Sequence, residues 1–132
     1  MSRRRRTTAM PVRDASPVPR QLDRADFPRT GAPWIVVLFS SSACASCPPM
    51  AEKVAVLESP DVAVVDVSFP EARDLHERYA IEAVPLVVVA DRDGVVRASF
   101  LGPTSATDLW AAVAEVRAPG SSPEPGLGTS PG

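Results

Sequence analysis

Two cysteines stand close together in the segment Cys44-Ala45-Ser46-Cys47, and they are the only cysteines of the 132-residue chain. At this spacing two thiols can close a disulfide or bind a metal ion together. A small protein held together by a disulfide framework needs more than two cysteines. The pair is therefore redox-active, part of a metal site, or simply two small apolar side chains of the core.

The pair lies between a predicted strand and a predicted helix. The apolar, β-branched run from Trp34 to Phe39 predicts a strand buried on both faces, and residues 48–58 have helical spacing. Cys44 would then stand at a helix start, where unpaired N–H groups and the helix dipole favour negative charge. We expect a Cys44 thiolate that accepts N–H bonds from Ser46 and Cys47, with a pKa below the free value of about 8.5. Cys47 is expected to be the more buried thiol.

The rest of the chain continues to alternate between strand and helix. Residues 62–67 predict a second buried strand, Pro70 can open a helix, and Ser105 can cap the last helix. The turn Asp91-Arg92-Asp93-Gly94 predicts a hairpin. The first two strands need a crossover helix and should be parallel, so the fold class is α/β, with a mixed central sheet and helices on both faces. The other predicted elements are strands at Leu22, Leu86 to Ala90 and Val95 to Leu101, and a helical turn over Ala25 to Arg29.

Charge divides the chain into an arm and a domain. Residues 1–30 carry eight arginines and three aspartates, whereas residues 31–117 carry six basic and twelve acidic side chains. We predict a disordered basic arm over 1–17, a folded domain over 18–117 and a disordered Pro/Gly/Ser tail over 118–132. Arg3 to Arg6 could contact nucleic acid or anionic lipid, but a solvated basic start is the simpler interpretation, so we expect no nucleic-acid partner.

The composition also excludes a membrane span. The longest apolar runs cover about seven residues, and a transmembrane helix needs roughly 20. Residues 7–18 lack the apolar core of a secretory signal, so a cytoplasmic location is expected. In that compartment a cysteine pair is more often catalytic or metal-binding than structural.

A metal site within one chain would be short of ligands. Zinc takes four ligands, and besides the two cysteines the chain has one histidine, His76. We therefore expect no metal and no cofactor in a single chain, while a zinc ion or iron–sulfur cluster shared between two chains stays open. His76 stands beside Glu77 and Arg78 and is expected to be exposed.

A second motif is independent of the cysteines. A proline at residue 85, where the chain enters a buried strand, gives up a ladder hydrogen bond. The segment Tyr79-Ala80-Ile81-Glu82-Ala83-Val84-Pro85 resembles the one that leads into the cis-proline of the thioredoxin family. Together with the Cys-x-x-Cys pair, the resemblance spans residues 18–117 and implies a thioredoxin-like three-layer fold with Pro85 against Cys44. The substrate contacts that it implies are Ala45, Ser46, Val84 and Pro85.

The chain also departs from that family at several positions, and two of these departures remove an ionisable pair. Leu38 stands where thioredoxins carry a buried acid, and Val64 stands where they carry a nearby lysine. In the family the acid helps to deprotonate the second thiol. Because only the thiolate is nucleophilic, Cys47 is expected to attack more slowly than its thioredoxin counterpart.

These observations predict a monomeric thiol–disulfide oxidoreductase. Cys44 would attack a protein disulfide substrate and Cys47 would resolve the mixed disulfide. The implied electron donor is a thioredoxin reductase or a similar enzyme. The alternative is a non-catalytic binding module of the same fold, in which the oxidation state of the pair controls the docking of a partner.

Overall fold

The computed structural model describes residues 18–120. The predicted arm and the tail beyond Gly120 lie outside the described residues. A short 3-10 helix over Arg24–Asp26 precedes the regular elements, which are β1 (Trp34–Ser41), α1 (Cys47–Ala55), β2 (Val62–Phe69), α2 (Arg73–Arg78), β3 (Leu86–Ala90), β4 (Val96–Leu101) and α3 (Ala106–Arg117).

The four strands form one mixed sheet in the order β2-β1-β3-β4. β1 pairs with β2 in parallel and with β3 antiparallel, and β3 and β4 form the antiparallel hairpin. The parallel pair is joined through α1, as a crossover requires. The predicted α/β class with a mixed sheet is therefore confirmed.

Alternate residues of β1 face two separate cores. Val36 and Leu38 pack with residues of α1 and α3 on one side, which we call the α1 face. Ile35, Val37 and Phe39 pack with residues of α2 and of the N-terminal segment on the other side, the α2 face. All five side chains are 0% exposed, so the continuous apolar run reflects burial on both faces.

β2 was predicted as a second fully buried strand, and this is wrong for its second half. Among the strands of residues 18–120, β2 pairs with β1 alone and forms an edge of the sheet. Val64 and Val65 are half-buried and Asp66 is exposed. The Asp66 carboxylate accepts a hydrogen bond from the Ser40 hydroxyl of β1. Ser40 is buried, so this bond satisfies a hydroxyl group that is removed from water.

Three local predictions need correction. Pro70 does not open α2: the Phe69–Pro70 peptide is cis, a turn follows, and the helix begins at Arg73. Leu22 is not in a strand, because only Gln21 forms an isolated bridge, with Val95. The remaining differences concern bounds: the helical turn before β1 is the 3-10 helix, and α1 begins at Cys47 and ends at Ala55.

The hairpin turn and the cap of α3 are confirmed. Gly94 has a φ of +83°, and a Cβ there would lie 2.1 Å from the Leu22 carbonyl oxygen, so this turn requires glycine. The Ser105 hydroxyl accepts a hydrogen bond from the Asp108 amide at 3.1 Å. Leu109 and Val113 are the buried residues of the helix that follows.

The C-terminal end of α2 is anchored to the segment before β1. The Tyr79 hydroxyl donates to the Asp26 carboxylate and accepts from the Asp23 amide. Burial raises the pKa of the Tyr79 phenol, and the bond to Asp26 adds to this shift. Arg78 forms an ion pair with Asp26 at 2.7 Å. Both side chains therefore hold the end of α2 on the domain.

Just beyond this anchor, Ala80 adopts the left-handed conformation with a φ of 54°. The Ala80 amide donates to the Glu77 carbonyl and the Ile81 amide donates to the His76 carbonyl, as in a Schellman motif. Glycine usually occupies this position because it has no Cβ to clash. The turn reverses the chain and brings residues 81–84 back alongside α2.

Ala80→Gly should therefore stabilise the protein. The variant removes the steric strain of an alanine in the left-handed conformation, which stabilises the folded state. Part of this stabilisation is lost because glycine gives the unfolded chain more conformational freedom. The net increase in the free energy of unfolding should be about 0.5–1 kcal/mol, measured by denaturant titration. Ala83→Gly is the matched control: Ala83 has no positive φ, so it should lower stability slightly. A destabilised Ala80→Gly variant would contradict the strain argument.

Candidate active site

Cys44 lies on the loop that joins the end of β1 to α1, which we call the redox loop, and Cys47 is the first residue of α1. Main-chain hydrogen bonds hold this loop: the Ser42 amide donates to the Phe69 carbonyl at 2.9 Å, and the Cys44 amide donates to the Ser41 carbonyl at 3.0 Å. The first bond ties the loop to the end of β2, and the second folds it back on the end of β1. The position of the pair is thus set by the two parallel strands.

Cys44 and Cys47 form a disulfide, with Cα atoms 5.4 Å apart. Cys44 is half-buried and Cys47 is 3% exposed, so the prediction that Cys47 is the more buried is confirmed. The Cys44 sulfur lies 3.6 Å from the Ser46 hydroxyl oxygen. A reagent or substrate approaching from solvent therefore meets Cys44 first.

Cys44 lies three residues before the first helical residue and not at the helix start, where the sequence placed it. Ser46 is the N-cap and Cys47 the first helical residue, followed by two prolines that have no N–H. The Cys47 amide, expected to bond the Cys44 sulfur, instead donates to the Cys44 carbonyl at 3.2 Å in this oxidised form. The positive end of α1 therefore lies nearest to Cys47, with Cys44 one turn before it.

Leu38 and Val64 are located beneath the helix that carries Cys47. Leu38 is fully buried among Met50 and Val54 of α1, and the half-buried Val64 packs against the same cluster. This packing agrees with the strand register assigned from the sequence. Apolar side chains therefore line the α1 face of the sheet beneath this helix.

The hydrogen bond between Ser40 and Asp66 was not predicted from the sequence. Asp66 is the β2 partner of Leu38 in the parallel register, and it bonds the hydroxyl of Ser40, two residues along β1. The signal was present in principle, because a parallel register fixes which side chains share a face. The strand order was needed to recognise it.

His76 was predicted to be exposed, and this is wrong. The residue is 6% exposed, and its Nε2 donates to the Val67 carbonyl at 2.9 Å. Its ring contacts Phe39 and Phe69 edge-on, with centroids 5.6 Å away in each case. His76 falls on the same helical stripe as Ala72 and Tyr79, a periodicity that could have indicated burial. The carbonyl partner explains why a polar ring is tolerated there.

The Val84–Pro85 peptide bond is cis, and Pro85 is buried where the chain enters β3. The Gly102 amide donates to the Pro85 carbonyl at 2.8 Å. Val84 lines a cavity together with Ser41, three residues before Cys44. The contact between Pro85 and Cys44 stays a prediction, as do the roles of Ala45, which is exposed, and Ser46, which is half-buried.

The cavity beside the redox loop has a volume of about 330 Å³. Its walls come from the end of β1, the end of β2 and the C-terminal part of α2 with the turn that follows. The lining residues are Ser41, Phe69, His76, Glu77 and the segment 80–84. The site therefore consists of a disulfide with one accessible sulfur and an adjoining groove.

Two other features of the described chain bear on its chemistry. Within residues 18–120, no three side chains of the types that bind metals converge on one point. No helix in the same range is long and apolar enough to cross a membrane.

Comparisons with known proteins identify relatives through structure alone. No family model matches the sequence, and no curated protein matches it either. Thioredoxin O2 from Arabidopsis thaliana, in its oxidised state, superposes with a TM-score of 0.57 at 20% identity, over 70% of this chain and 88% of that one. Thioredoxin from Fasciola hepatica gives a TM-score of 0.55 at 28% identity, over 64% and 81% of the two chains.

A third structure extends the range of organisms. The germline-specific thioredoxin Deadhead of the fruit fly has a TM-score of 0.56 at 25% identity, over 65% of this chain and 83% of its own. Each thioredoxin is thus matched over most of its length by the described domain. The shared fold and the cysteine pair at disulfide distance identify this chain as a member of the thioredoxin-like superfamily.

Proposed function

We propose that the protein is a thiol–disulfide oxidoreductase that acts on protein disulfides. The observation that carries this proposal is the asymmetry of the pair: one half-buried cysteine, Cys44, is bonded to one buried cysteine, Cys47. A structural disulfide gains most when it closes a long loop, and this one spans three residues. Its short span and accessible sulfur instead suit exchange with another disulfide.

In the proposed reaction, the reduced enzyme starts as a dithiol. The Cys44 thiolate attacks one sulfur of the substrate disulfide, the substrate S–S bond breaks, and a mixed disulfide forms. Cys47 then loses its proton and attacks the Cys44 sulfur, which releases the second substrate thiolate. Both substrate thiolates take up protons, so the substrate gains two electrons and the Cys44–Cys47 pair is oxidised. A dithiol donor, such as a thioredoxin reductase, restores the reduced enzyme.

The main chain around Pro85 suits an extended substrate. The carbonyl of Pro85 is taken by the Gly102 amide, whereas the amide and carbonyl of Val84 have no main-chain partner within residues 18–120. A substrate strand could pair with Val84 and place its half-cystine near Cys44. Ala45 and Ser46 would then contact the substrate from the other side of the sulfur.

We further propose that the protein is a monomer and acts in the cytoplasm, where a dithiol donor is available to reduce it. The simplest test is a turnover assay with insulin as substrate, a reductase and its electron donor. Repeated turnover that is lost in Cys44→Ser supports the proposal. Reduction of one equivalent of disulfide without further cycling would contradict it and would instead indicate a redox-switched binding module.

The two cysteines should differ in reactivity. We expect iodoacetamide to alkylate Cys44 of the reduced protein faster at neutral pH, because Cys44 is the accessible thiol and Cys47 is covered. Mass spectrometry of peptides after alkylation across a pH series measures both rates and both apparent pKa values. The Cys47→Ser variant should accumulate mixed disulfides with substrates, whereas Cys44→Ser should not. Faster labelling of Cys47 would contradict the assignment.

Leu38→Asp should separate stability from turnover. Placing a carboxyl at this fully buried position should lower the free energy of unfolding by roughly 2–4 kcal/mol. The same carboxylate could accept the proton of Cys47 and speed the release of the mixed disulfide. Denaturant unfolding and single-turnover kinetics measure the two effects.

Val36→Asp is the matched control for that prediction. Val36 is equally buried on the same face but lies two residues further from the redox loop. It should lower stability to a similar extent and leave the rate of resolution unchanged. If Leu38→Asp affects neither quantity, Leu38 does not lie beneath the pair.

A further inference from the structure

The groove beside Cys44 combines an apolar wall with an acidic rim. Phe69, Ile81 and Val84 supply the wall, and each of them is half-buried. Glu77 and Glu82 line the same groove and are exposed. The Schellman turn at Ala80 brings these two glutamates to one cavity, although they lie on either side of the helix end.

Neither carboxylate has an ion-pair partner in the part of the chain that the structure describes. Within residues 18–120, no lysine or arginine lies within ion-pair distance of Glu77 or Glu82. Of the neighbouring arginines, Arg78 pairs with Asp26, whereas the Arg73 guanidinium lies over the ring of Phe69, a wall residue of the groove, at 4.9 Å from its centroid. The rim therefore presents negative charge that a ligand could neutralise.

From this geometry we infer that the groove selects protein substrates that carry an arginine or lysine close to the reacting half-cystine. This inference rests on the proposed function and names the substrate class of the same site. A long cationic side chain meets both demands of the groove, because its aliphatic stem can lie on Ile81 and Val84 while its charged head reaches the glutamates. An acidic side chain at the same place would be repelled.

The groove is well placed to act on the substrate of Cys44. Ser41 forms part of its wall, and the carbonyl of Ser41 accepts the hydrogen bond from the Cys44 amide. Phe69 forms another part, and its carbonyl holds the Ser42 amide. A chain that pairs with Val84 would therefore lie along the groove, next to the glutamates that line it. Exposed charges of this kind influence the encounter and the choice of partner more than the chemical step.

The test compares two peptide disulfides that differ only in one residue next to the half-cystine, arginine in one and glutamate in the other. The full-length wild type should reduce the arginine peptide with a kcat/KM about fivefold higher, a ratio expected for one or two exposed ion pairs. The ratio should shrink in high salt, since surface charges are screened. The double variant Glu77→Lys/Glu82→Lys should reverse the preference.

Glu58→Lys/Asp93→Lys is the control with the same change of net charge. Both residues lie at the opposite end of the sheet from the redox loop: Glu58 precedes β2, and Asp93 belongs to the β3–β4 turn. This variant should keep the preference for arginine. If it reverses the preference as the groove variant does, net charge explains the selectivity and the inference is overturned.

Two further measurements distinguish the remaining outcomes. Hydroxyethyl disulfide, which is small and uncharged, tests the proposed function separately from the choice of substrate. Failure of the wild type to reduce this or any other disulfide would overturn the proposed function as well. The basic arm of the chain is the competing occupant. If the full-length variant R3Q/R4Q/R5Q/R6Q reduces the arginine peptide faster than the wild type does, the arm occupies the groove and the substrate inference is overturned.

Discussion

The structure depends on the burial of β1 between two strands and two helical layers. Every side chain from Ile35 to Phe39 is inaccessible to solvent, and β1 pairs with β2 on one side and β3 on the other. A strand in this position has no freedom to slip, because a shift of one residue would exchange its two sets of side chains between the faces. The end of β1 is therefore a fixed point, and the redox loop starts from it.

The unequal burial of the two sulfurs follows from this constraint. α1 packs Met50 and Val54 on the α1 face of the sheet, which fixes the start of the helix and covers Cys47. Cys44 belongs to the loop before the helix, and the bonds to Ser41 and Phe69 hold that loop without covering its sulfur. Packing thus divides a pair of identical side chains into an accessible and a protected member.

The elements that the sequence predicts correctly are those that local residues determine. Gly94 is required by its own backbone conformation, and Ser105 caps a helix three residues away. The wrong predictions involve partners distant in the chain. The burial of His76 is tolerated because the Val67 carbonyl accepts a hydrogen bond from its ring. Part of β2 is accessible to solvent because the strand lies at the edge of the sheet. Neither partner can be read from the neighbouring residues, and the groove formed around Ala80 is hidden for the same reason.

Burial also decides which charges this site can use. A carboxylate beneath Cys47 would have to be desolvated, and the apolar Leu38 avoids that cost. As a result, no carboxylate at position 38 can accept a proton from Cys47. Beside Cys44 the groove is open, so Glu77 and Glu82 keep their hydration and cost the fold little. Carboxylates that remain in water cannot act on a covered thiol, but they can attract a substrate. The exposed carboxylates therefore lie at the open groove, whereas the packing beneath Cys47 is apolar.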